Sequence, residues 1–173
     1  KMDLPAANPQ KVEADLMKHE IISEKMGGEV VLVNVSAKTK KGLDELLDAI
    51  ILQSEILELK ANPSRKGEGT VIESKIEKGK GTVISVLIQN GCLNVGEVVI
   101  VGKEWGKVRA LYDDAGNRLD TAYPSFPVEL LGLSGAPNSG DKLLVVDNES
   151  RAREVTQYRS RMKRKEESAS IKR

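Results

Sequence analysis

The stretch TVISVLIQNGCLNVGEVVIV, residues 82–101, decides the fold of this chain. Two runs rich in Val and Ile flank the turn residues Asn90, Gly91 and Gly96, and each run has the length of one short strand. The same rhythm continues from Gly67 to Asp147. Its β-branched runs are Thr70 to Ile76, Thr82 to Gln89, Glu97 to Val101, Lys107 to Tyr112, Pro127 to Leu133 and Lys142 to Val146. Short strands at this spacing predict an antiparallel barrel or sandwich over residues 67–148.

Composition and charge restrict the kinds of protein that this chain can be. Of its 173 residues 39% are hydrophobic and 31% are charged, which is typical of a globular protein in water with room for two small units. The longest apolar runs, such as Val30 to Val33, are too short to span a bilayer, so we expect no membrane partner. A single cysteine, Cys92, excludes an intrachain disulfide and fits the reducing cytoplasm, which is the expected location. With one histidine, His19, no cluster of His and Cys ligands for a metal is possible.

Residues 1–60 carry the pattern helix, strand, loop, helix. Asn8-Pro9 is a strong helix start, because the Asn side chain accepts a free backbone N–H and Pro suits the first helical position. The run Glu29 to Val35 predicts a strand buried on both faces, as in a parallel sheet. After a polar loop, a second amphipathic helix is expected to continue to about Leu59. This order predicts the C-terminal part of an α/β domain whose other strands are missing.

Apolar side chains mark the expected buried face of each of these helices. They are Val12, Leu16 and Met17 in the first, and Leu43, Leu46, Leu47, Ile50 and Leu57 in the second. Missing strands would leave the second helix short of partners, so we expect residues 1–60 to be less ordered than the barrel. The opening Lys1-Met2-Asp3 has neither the apolar core of a signal peptide nor Met at position one, and we expect an excised fragment.

A linker and a basic tail flank the predicted barrel. Residues 61–66, ANPSRK, mix Pro, Ser and charge without periodicity and are predicted as a domain linker. Residues 149–173 are predicted as a basic helix, capped by Asn148 or Ser150. From residue 151 onward this tail holds nine of the 27 Lys and Arg but only three of the 26 acidic residues. Such a tail fits contact with nucleic acid and equally well a solvated helix.

The tail has a narrow apolar stripe. Its members are Arg151, Val155, Tyr158 and Met162. A stripe this thin does not hold a helix that is isolated in water. We therefore expect the first two turns to pack on the barrel and the chain to fray from Lys163 onward.

No complete catalytic constellation is present, and no catalytic residue is predicted. His19 lacks a paired nucleophile and is expected to be an exposed structural side chain. Asp113-Asp114 precedes Ala115-Gly116-Asn117 between two strands, which indicates a hairpin turn rather than an acid/base pair. Gly79-Lys80-Gly81 is too short for a phosphate loop and suits a turn. Trp105, at the head of a strand, is expected to be a half-buried packing residue.

Two short segments resemble the last two motifs of GTP-binding domains. Lys1-Met2-Asp3 resembles the Asn-Lys-x-Asp guanine reader without its Asn, and Ser36-Ala37-Lys38 resembles the Ser-Ala-Lys loop. The resemblance implies that the Asp3 carboxylate accepts two hydrogen bonds from guanine and that the Lys1 stem stacks on the base. It also implies that a backbone N–H at Ala37 or Lys38, in the loop that begins at Ser36, meets the guanine O6. The resemblance therefore assigns these residues to the guanine end of a nucleotide site.

The remaining motifs of such a site do not occur in this sequence. There is no Gly-x-x-x-x-Gly-Lys-Ser/Thr phosphate loop and no Asp-x-x-Gly switch before the Ser-Ala-Lys loop. Most nucleotide affinity comes from contacts to phosphate and Mg²⁺. We therefore expect no cofactor and no enzymatic activity in this fragment, while GTP with Mg²⁺ would belong to the parent protein.

The barrel region is similar to the second domain of translational GTPases such as elongation factor Tu. The resemblance rests on Gly79-Lys80-Gly81-Thr82-Val83 and on the turn and strand residues from Asn90 to Gly102. The runs Gly106 to Leu111 and Pro124 to Pro137 are similar to the bacterial translation initiation factor 2 family in particular, as are Gly42 to Ile50 and Ala152 to Val155. The implied fold is mainly β with α: an antiparallel barrel, preceded by an incomplete α/β GTPase-domain remnant and followed by a C-terminal helix that connects to further domains.

The resemblance implies a role in the start of protein synthesis. In that family a GTPase delivers initiator formylmethionyl-tRNA to the small ribosomal subunit and promotes subunit joining. The barrel docks on the 16S ribosomal RNA of the small subunit, so that rRNA is the expected partner of this chain. Initiator tRNA would be reached only through domains outside it. We expect a monomer.

Four basic side chains at predicted loops are the candidates for rRNA contact. We call Arg65, Lys66, Lys78 and Lys80 the loop cations; we expect them to cluster at the linker and the first hairpin, where flexible cations meet phosphates at little desolvation cost. Solvated loop charges are the alternative explanation. Two other functions stay open: a fragment that retains GTPase activity, and an intramolecular scaffold that links the GTPase and tRNA-binding domains without ribosome affinity of its own.

Overall fold

The computed structural model describes residues 1–170 of the chain. The backbone divides into two compact units, Lys1–Lys60 and the part from Ala61 onward. The last residues of the predicted basic tail, 171–173, lie outside the described residues. Within residues 1–170, no helix is both long enough and apolar enough to cross a bilayer.

The second unit is a closed antiparallel β-barrel with one long helix. Its strands are β1 (Glu68–Glu77), β2 (Gly81–Asn90), β3 (Leu93–Asn94), β4 (Val98–Val101), β5 (Glu104–Tyr112), β6 (Arg118–Leu119), β7 (Thr121–Ala122), β8 (Pro127–Leu133) and β9 (Lys142–Val146). The barrel runs in the order β4, β9, β1, β2, β8 and β5, and β5 pairs with β4 to close it. Strand β6 extends β5, and β3 pairs with β7 in a separate ribbon. The predicted all-β module is confirmed.

Aliphatic side chains fill the interior of this barrel. On β2, Ile84, Val86 and Ile88 are fully buried while Ser85 and Leu87 between them are only half-buried, as the two-residue period of a strand requires. Leu111, Leu130 and Leu143 on other strands are also fully buried and complete the same core. Burying each such side chain contributes roughly 1.5–3 kcal/mol. The barrel therefore has an apolar core formed within its own sequence range.

Two glycines let β5 and β8 approach closely where their register shifts. The pairing changes between Gly106 opposite Leu133 and Ala110 opposite Leu131. A Cβ atom on Gly106 would collide with the backbone carbonyl of Gly132, and one on Gly132 would collide with that of Lys107. Glycine is therefore required at both positions for the barrel to close at this point.

A long helix, α3 (Glu149–Ser170), packs on the barrel. Its first turn is capped by Asn148, whose Oδ1 accepts the Arg151 N–H at 2.9 Å. Among the side chains of this helix that the structure describes, Ala152 and Thr156 are buried, and an Arg159 Nη1–H donates to the Gly102 carbonyl at 2.6 Å. The cap is as predicted, and the first turns do contact β4, β5 and β9.

The predicted stripe on this helix is wrong by about one residue. Val155 is half-buried, but Tyr158 is 61% exposed and Met162 is 39% exposed. Small side chains at Ala152 and Thr156 allow the helix backbone to come close to the barrel, which the longer apolar residues would prevent. The chain is also helical beyond Lys163, as far as Ser170, where fraying was expected.

The first unit holds two α-helices with little buried surface. Helix α1 (Pro9–Met17) begins as predicted, with the Lys11 N–H donating to Asn8 Oδ1 at 3.0 Å. Helix α2 (Leu43–Ile56) ends three residues before the expected Leu59. A short 3₁₀ helix covers Glu24–Met26.

Two expectations for this unit are wrong. The segment Glu29 to Val35 forms no strand; only Val30 makes an isolated bridge, with Ser23. The expected buried faces of α1 and α2 are not buried, since Val12 is 58% exposed and Leu47 is 57% exposed. The cause is common to both errors: a β-branched run or an apolar helix face becomes buried only where a neighbouring element covers it.

Candidate functional site

The two segments that resemble guanine-reading motifs lie side by side in the first unit. The backbone nitrogens of Lys1 and Met2 donate to the Val35 carbonyl at 3.0 and 3.1 Å. The Ser36 hydroxyl donates to Asp3 Oδ1 at 2.6 Å. Ser36 itself is fully buried. Residues that are far apart in sequence are therefore held in one place.

The Ser36 loop is closed by its own hydrogen bonds. The Thr39 N–H donates to the Ser36 Oγ at 3.2 Å, and the Ser36 N–H donates to the Lys41 carbonyl at 3.0 Å. Ala37 and Lys38 at the tip of the loop are exposed. Their backbone is therefore presented to solvent on a fixed turn.

Asp3 is held in its charged form. The hydrogen bond from Ser36, followed by one from the Asp3 backbone, lowers the pKa of the Asp3 carboxyl below its ordinary value of 3.8. The bond from Ser36 is made to Oδ1. A charged carboxylate is the form that accepts hydrogen bonds from a base edge.

The loop cations fall into two separate groups rather than one patch. Arg65 and Lys66 precede β1, whereas Lys78 and Lys80 follow it. Because β1 has ten residues, its two ends are roughly 30 Å apart. The length of the β-branched run from Thr70 to Ile76 already implied that the two pairs of cations lie far apart. Their closeness in the sequence had suggested one cluster.

Three of the loop cations are engaged with carboxylates. Arg65 pairs with Glu68 at 3.2 Å, Lys66 pairs with Asp147, and Lys80 pairs with Glu77 at 3.3 Å. The hydrogen bond from Lys66 lowers the pKa of the Asp147 carboxyl. Hydrogen bonds from Lys75 and Lys80 likewise lower the pKa of the Glu77 carboxyl. All these pairs are exposed or partly exposed, so each contributes little to stability and an incoming phosphate can compete for the cation.

The linker is fixed to the barrel more firmly than its composition suggested. The Asn62 N–H donates to Asn90 Oδ1 at 2.9 Å, and the Gly91 N–H donates back to the Asn62 carbonyl at 3.1 Å. The Cys92 N–H donates to the Arg65 carbonyl at 3.2 Å. The turn pair Asn90-Gly91 was visible in the sequence as a hairpin signal, but its use as an anchor depends on tertiary contacts.

Other side chains discussed from the sequence have structural roles. The Asp113 carboxylate accepts backbone N–H groups from Ala115 at 3.0 Å and Asn117 at 2.7 Å, which confirms the turn. Hydrogen bonds from Asn117 lower the pKa of the Asp113 carboxyl. Trp105 is half-buried as expected, with the Arg153 guanidinium 5.2 Å from its ring centroid. In the described part of the chain no group of three or more acidic, His or Cys side chains is arranged to hold a metal.

Comparisons with known proteins bear on both units. A family model described as elongation factor G domain 2 matches residues 66–146, which is the barrel. Translation initiation factor IF-2 of Hyphomonas neptunium is 58% identical over 164 residues, and that of Rhizobium meliloti is 54% identical over 164 residues. Each alignment covers 95% of this chain. The chain belongs to the bacterial translation initiation factor IF-2 family.

The chain spans about a fifth of these IF-2 relatives: 19% of the Hyphomonas protein and 18% of the Rhizobium protein. Among solved structures, GDP-bound aIF5B from Aeropyrum pernix aligns with a TM-score of 0.68 at 21% identity, over 88% of this chain and 29% of that one. Translation elongation factor SelB from Methanococcus maripaludis aligns with a TM-score of 0.52 at 22% identity, over 83% of this chain and 32% of that one. At this identity the two structures support the fold. The predicted resemblance to the initiation factor 2 family is confirmed.

Proposed function

We propose that this chain is the part of a translation initiation factor that docks on the 16S rRNA of the small ribosomal subunit. The observation that carries the proposal is the 53–58% identity to IF-2 proteins over more than nine-tenths of the chain. The closed barrel is a rigid support for loop cations at both ends of β1. Cations held on loops of a rigid support suit recognition of folded RNA by shape and phosphate contact.

The parent protein in this proposal is a GTPase of the cytoplasm. It delivers initiator formylmethionyl-tRNA to the small subunit and promotes subunit joining, and it reaches the tRNA through domains outside this chain. Lys1, Asp3, Ser36, Ala37 and Lys38 form the guanine end of its nucleotide site. GTP and Mg²⁺ are bound by the parent, whose phosphate-binding motifs are not in this sequence.

Salt-dependent binding to isolated small subunits tests the docking function. Changing all four loop cations to Gln is expected to weaken binding and to reduce the salt slope by about one for each phosphate that is no longer neutralised. The matched control changes Lys11, Lys18, Lys25 and Lys60 of the first unit to Gln. That control removes the same charge and, like the loop set, includes lysines in exposed ion pairs, Lys18 with Asp15 and Lys60 with Glu58. Equal salt slopes for the wild type and the loop variant contradict the assignment of these residues.

A nucleotide titration tests whether GTP binding requires the parent protein or is retained by this chain alone. We expect no GTP binding in the micromolar range by the chain alone, because phosphate and Mg²⁺ contacts supply most of the affinity. Micromolar GTP binding would instead favour a chain that retains the nucleotide site. Light scattering during size-exclusion chromatography checks the proposed monomer.

An intramolecular scaffold is the second candidate function. The ion pairs of Arg65, Lys66 and Lys80 and the Asn62–Asn90 anchor favour it, because they fix the linker to the barrel and close the β1–β2 turn without any external partner. In that case the barrel and α3 keep the GTPase and tRNA-binding parts in register. A wild-type chain without measurable affinity for small subunits at low salt favours the scaffold over docking.

A further inference from the structure

Helix α3 and the β4–β5 turn form one rigid surface. The Arg159 guanidinium donates to the Gly102 carbonyl in this turn at 2.6 Å, and Ala152 and Thr156 are buried against the barrel. The Arg153 guanidinium lies over the ring of Trp105, the second residue of β5. Side chains on the next turns of α3 are thus held beside side chains of the β4–β5 turn.

A groove of about 420 Å³ lies between these two elements. We call it the α3 groove and define it by its polar lining: the cations Lys103, Arg161 and Arg164, and the neutral side chains Ser134, Gln157 and Ser160. The half-buried indole of Trp105 and the buried Thr156 also line it.

The α3 groove carries a net positive charge. Its one carboxylate, on Glu104, already accepts a hydrogen bond from the Ser134 hydroxyl at 3.3 Å. Among the side chains that the structure describes, the ion pairs on α3 join Arg151 to Glu154 and Arg153 to Glu149, about two to four turns before the cations of the groove. Arg161 donates its Nε–H to the Gln157 carbonyl at 3.4 Å.

The chemistry of this lining matches phosphate better than a protein segment. Phosphate oxygens accept hydrogen bonds from Arg and Lys and also from neutral Ser and Gln side chains, and the groove holds both kinds, in its three cations and in Gln157 and Ser160. A protein partner would instead need an apolar centre to bury, with aromatic or aliphatic anchors. Trp105 is the one large apolar side chain lining the groove among the described residues, and the Arg153 guanidinium already lies over its ring.

We propose that the α3 groove binds the phosphate backbone of folded RNA through Lys103, Arg161 and Arg164. This inference rests on the proposed docking function and adds a second contact surface to it, separate from the loop cations. The basic tail then has a defined role: its first turns attach the helix to the barrel, and the following turns present cations next to Lys103.

The test uses the full 173-residue chain and two probes, isolated small ribosomal subunits and protein-free 16S rRNA. The groove variant combines Lys103→Gln, Arg161→Gln and Arg164→Gln. The matched control combines Lys163→Gln and Lys165→Gln on the same exposed stretch of α3 with Lys60→Gln outside the helix, so that both variants lose three charges. A further variant, Arg161→Lys with Arg164→Lys, keeps the charge but removes the guanidinium fork.

The groove variant is expected to bind both probes at least about ten-fold more weakly at low salt, with a salt slope smaller by about three, while the control stays within about two-fold of wild type. The Arg-to-Lys variant should keep most of the salt slope, because Lys still neutralises phosphate as a point charge. Circular dichroism and Trp105 fluorescence verify that α3 and the barrel stay folded in each variant.

Any one of the following results overturns the inference. One is equal weakening by the groove and control variants, which indicates general charge rather than a site. Another is a wild-type chain that binds protein-free 16S rRNA no better than the groove variant does. The third is displacement of the rRNA by poly-glutamate at equal charge concentration, which assigns the groove to an acidic protein segment. If small-subunit binding is lost only in the loop variant, docking holds and the groove fails; if the wild type binds neither probe, both fail.

Discussion

The barrel and the first unit contain similar kinds of sequence with opposite outcomes. The run Val98–Val101 became strand β4 with paired neighbours on both sides, whereas the comparable run Val30 to Val33 formed no strand and stayed half exposed. Every strand of the barrel finds its partners within residues 67–147. The first unit offers no second strand for its β-branched run, so the backbone groups have no ladder to join. A strand is thus specified by its neighbours as much as by its residues.

Hydrogen exchange gives the largest expected difference between the two regions. The Ile84 amide of β2 lies in a paired central strand and should open only with global unfolding, whereas the Val31 amide belongs to no element. We expect exchange at Val31 to be at least about a thousand-fold faster, since local openings span the range from near zero to the global free energy of unfolding. NMR-detected exchange measures both sites in one sample. Protection of the same order at the two amides would contradict the conclusion that the Val30 to Val33 run is not part of a stable element.

Removing apolar side chains is expected to have an intermediate effect. Ile84→Ala should lower the free energy of unfolding of the barrel by about 2–5 kcal/mol, because the side chain is fully buried and leaves a cavity. Leu47→Ala on α2 is the matched change in the first unit, and since Leu47 is 57% exposed it should stay within about 0.5 kcal/mol. Urea titration followed by the fluorescence of Trp105, the only tryptophan, reports on the barrel directly. For Leu47→Ala, circular dichroism of the backbone in the same urea titration measures the change in the free energy of unfolding. A decrease close to that of Ile84→Ala would show that Leu47 is packed against another element.

The smallest expected effect concerns the hydrogen bond between Ser36 and Asp3 in the first unit. Ser36→Ala should raise the pKa of Asp3 toward its ordinary value of 3.8, because the hydrogen bond from Ser36 is the main cause of its depression. A carboxyl whose pKa is lowered on folding contributes stability above its unfolded pKa and loses it as the pH falls through the folded value. In the Ser36→Ala variant, protonation of Asp3 at low pH should therefore cause a smaller loss of stability than in the wild type. NMR titration of the Asp3 carboxyl measures the shift, and Asp113, held by Asn117, serves as the unaffected control. An unchanged Asp3 titration would mean that the Asp3–Ser36 hydrogen bond does not persist in solution.

The sequence was most informative where the residues needed for an element lie within that element. The Asn8-Pro9 start of α1, the Asn148 cap of α3 and the Asp113 turn are all local hydrogen-bonding patterns, and all were predictable. The errors concern relations between elements. The predicted stripe of α3 consists of its larger apolar residues, but the close approach of the helix to the barrel selected Ala152 and Thr156.

The candidate sites also have features that the sequence predicted and features that depend on how the elements are arranged. The motif resemblance placed Asp3 and Ser36 in one site, and a hydrogen bond joins them. Sequence order suggested that the loop cations are neighbours, but an extended strand separates them into two groups. For the α3 groove, the sequence showed only the excess of Lys and Arg after residue 151. It did not indicate that Lys103 lies beside that helix, so the groove could not be predicted.

The sequence by itself determined the all-β class of residues 67–147, the family and the position of the basic charge, because strand period, turn residues and motif letters are local properties. Tertiary structure alone decided which runs became strands, which face of α3 is buried and which cations share a groove. The physical reason is that burial and ion proximity depend on pairs of elements, and a pair exists only once the chain has closed on itself.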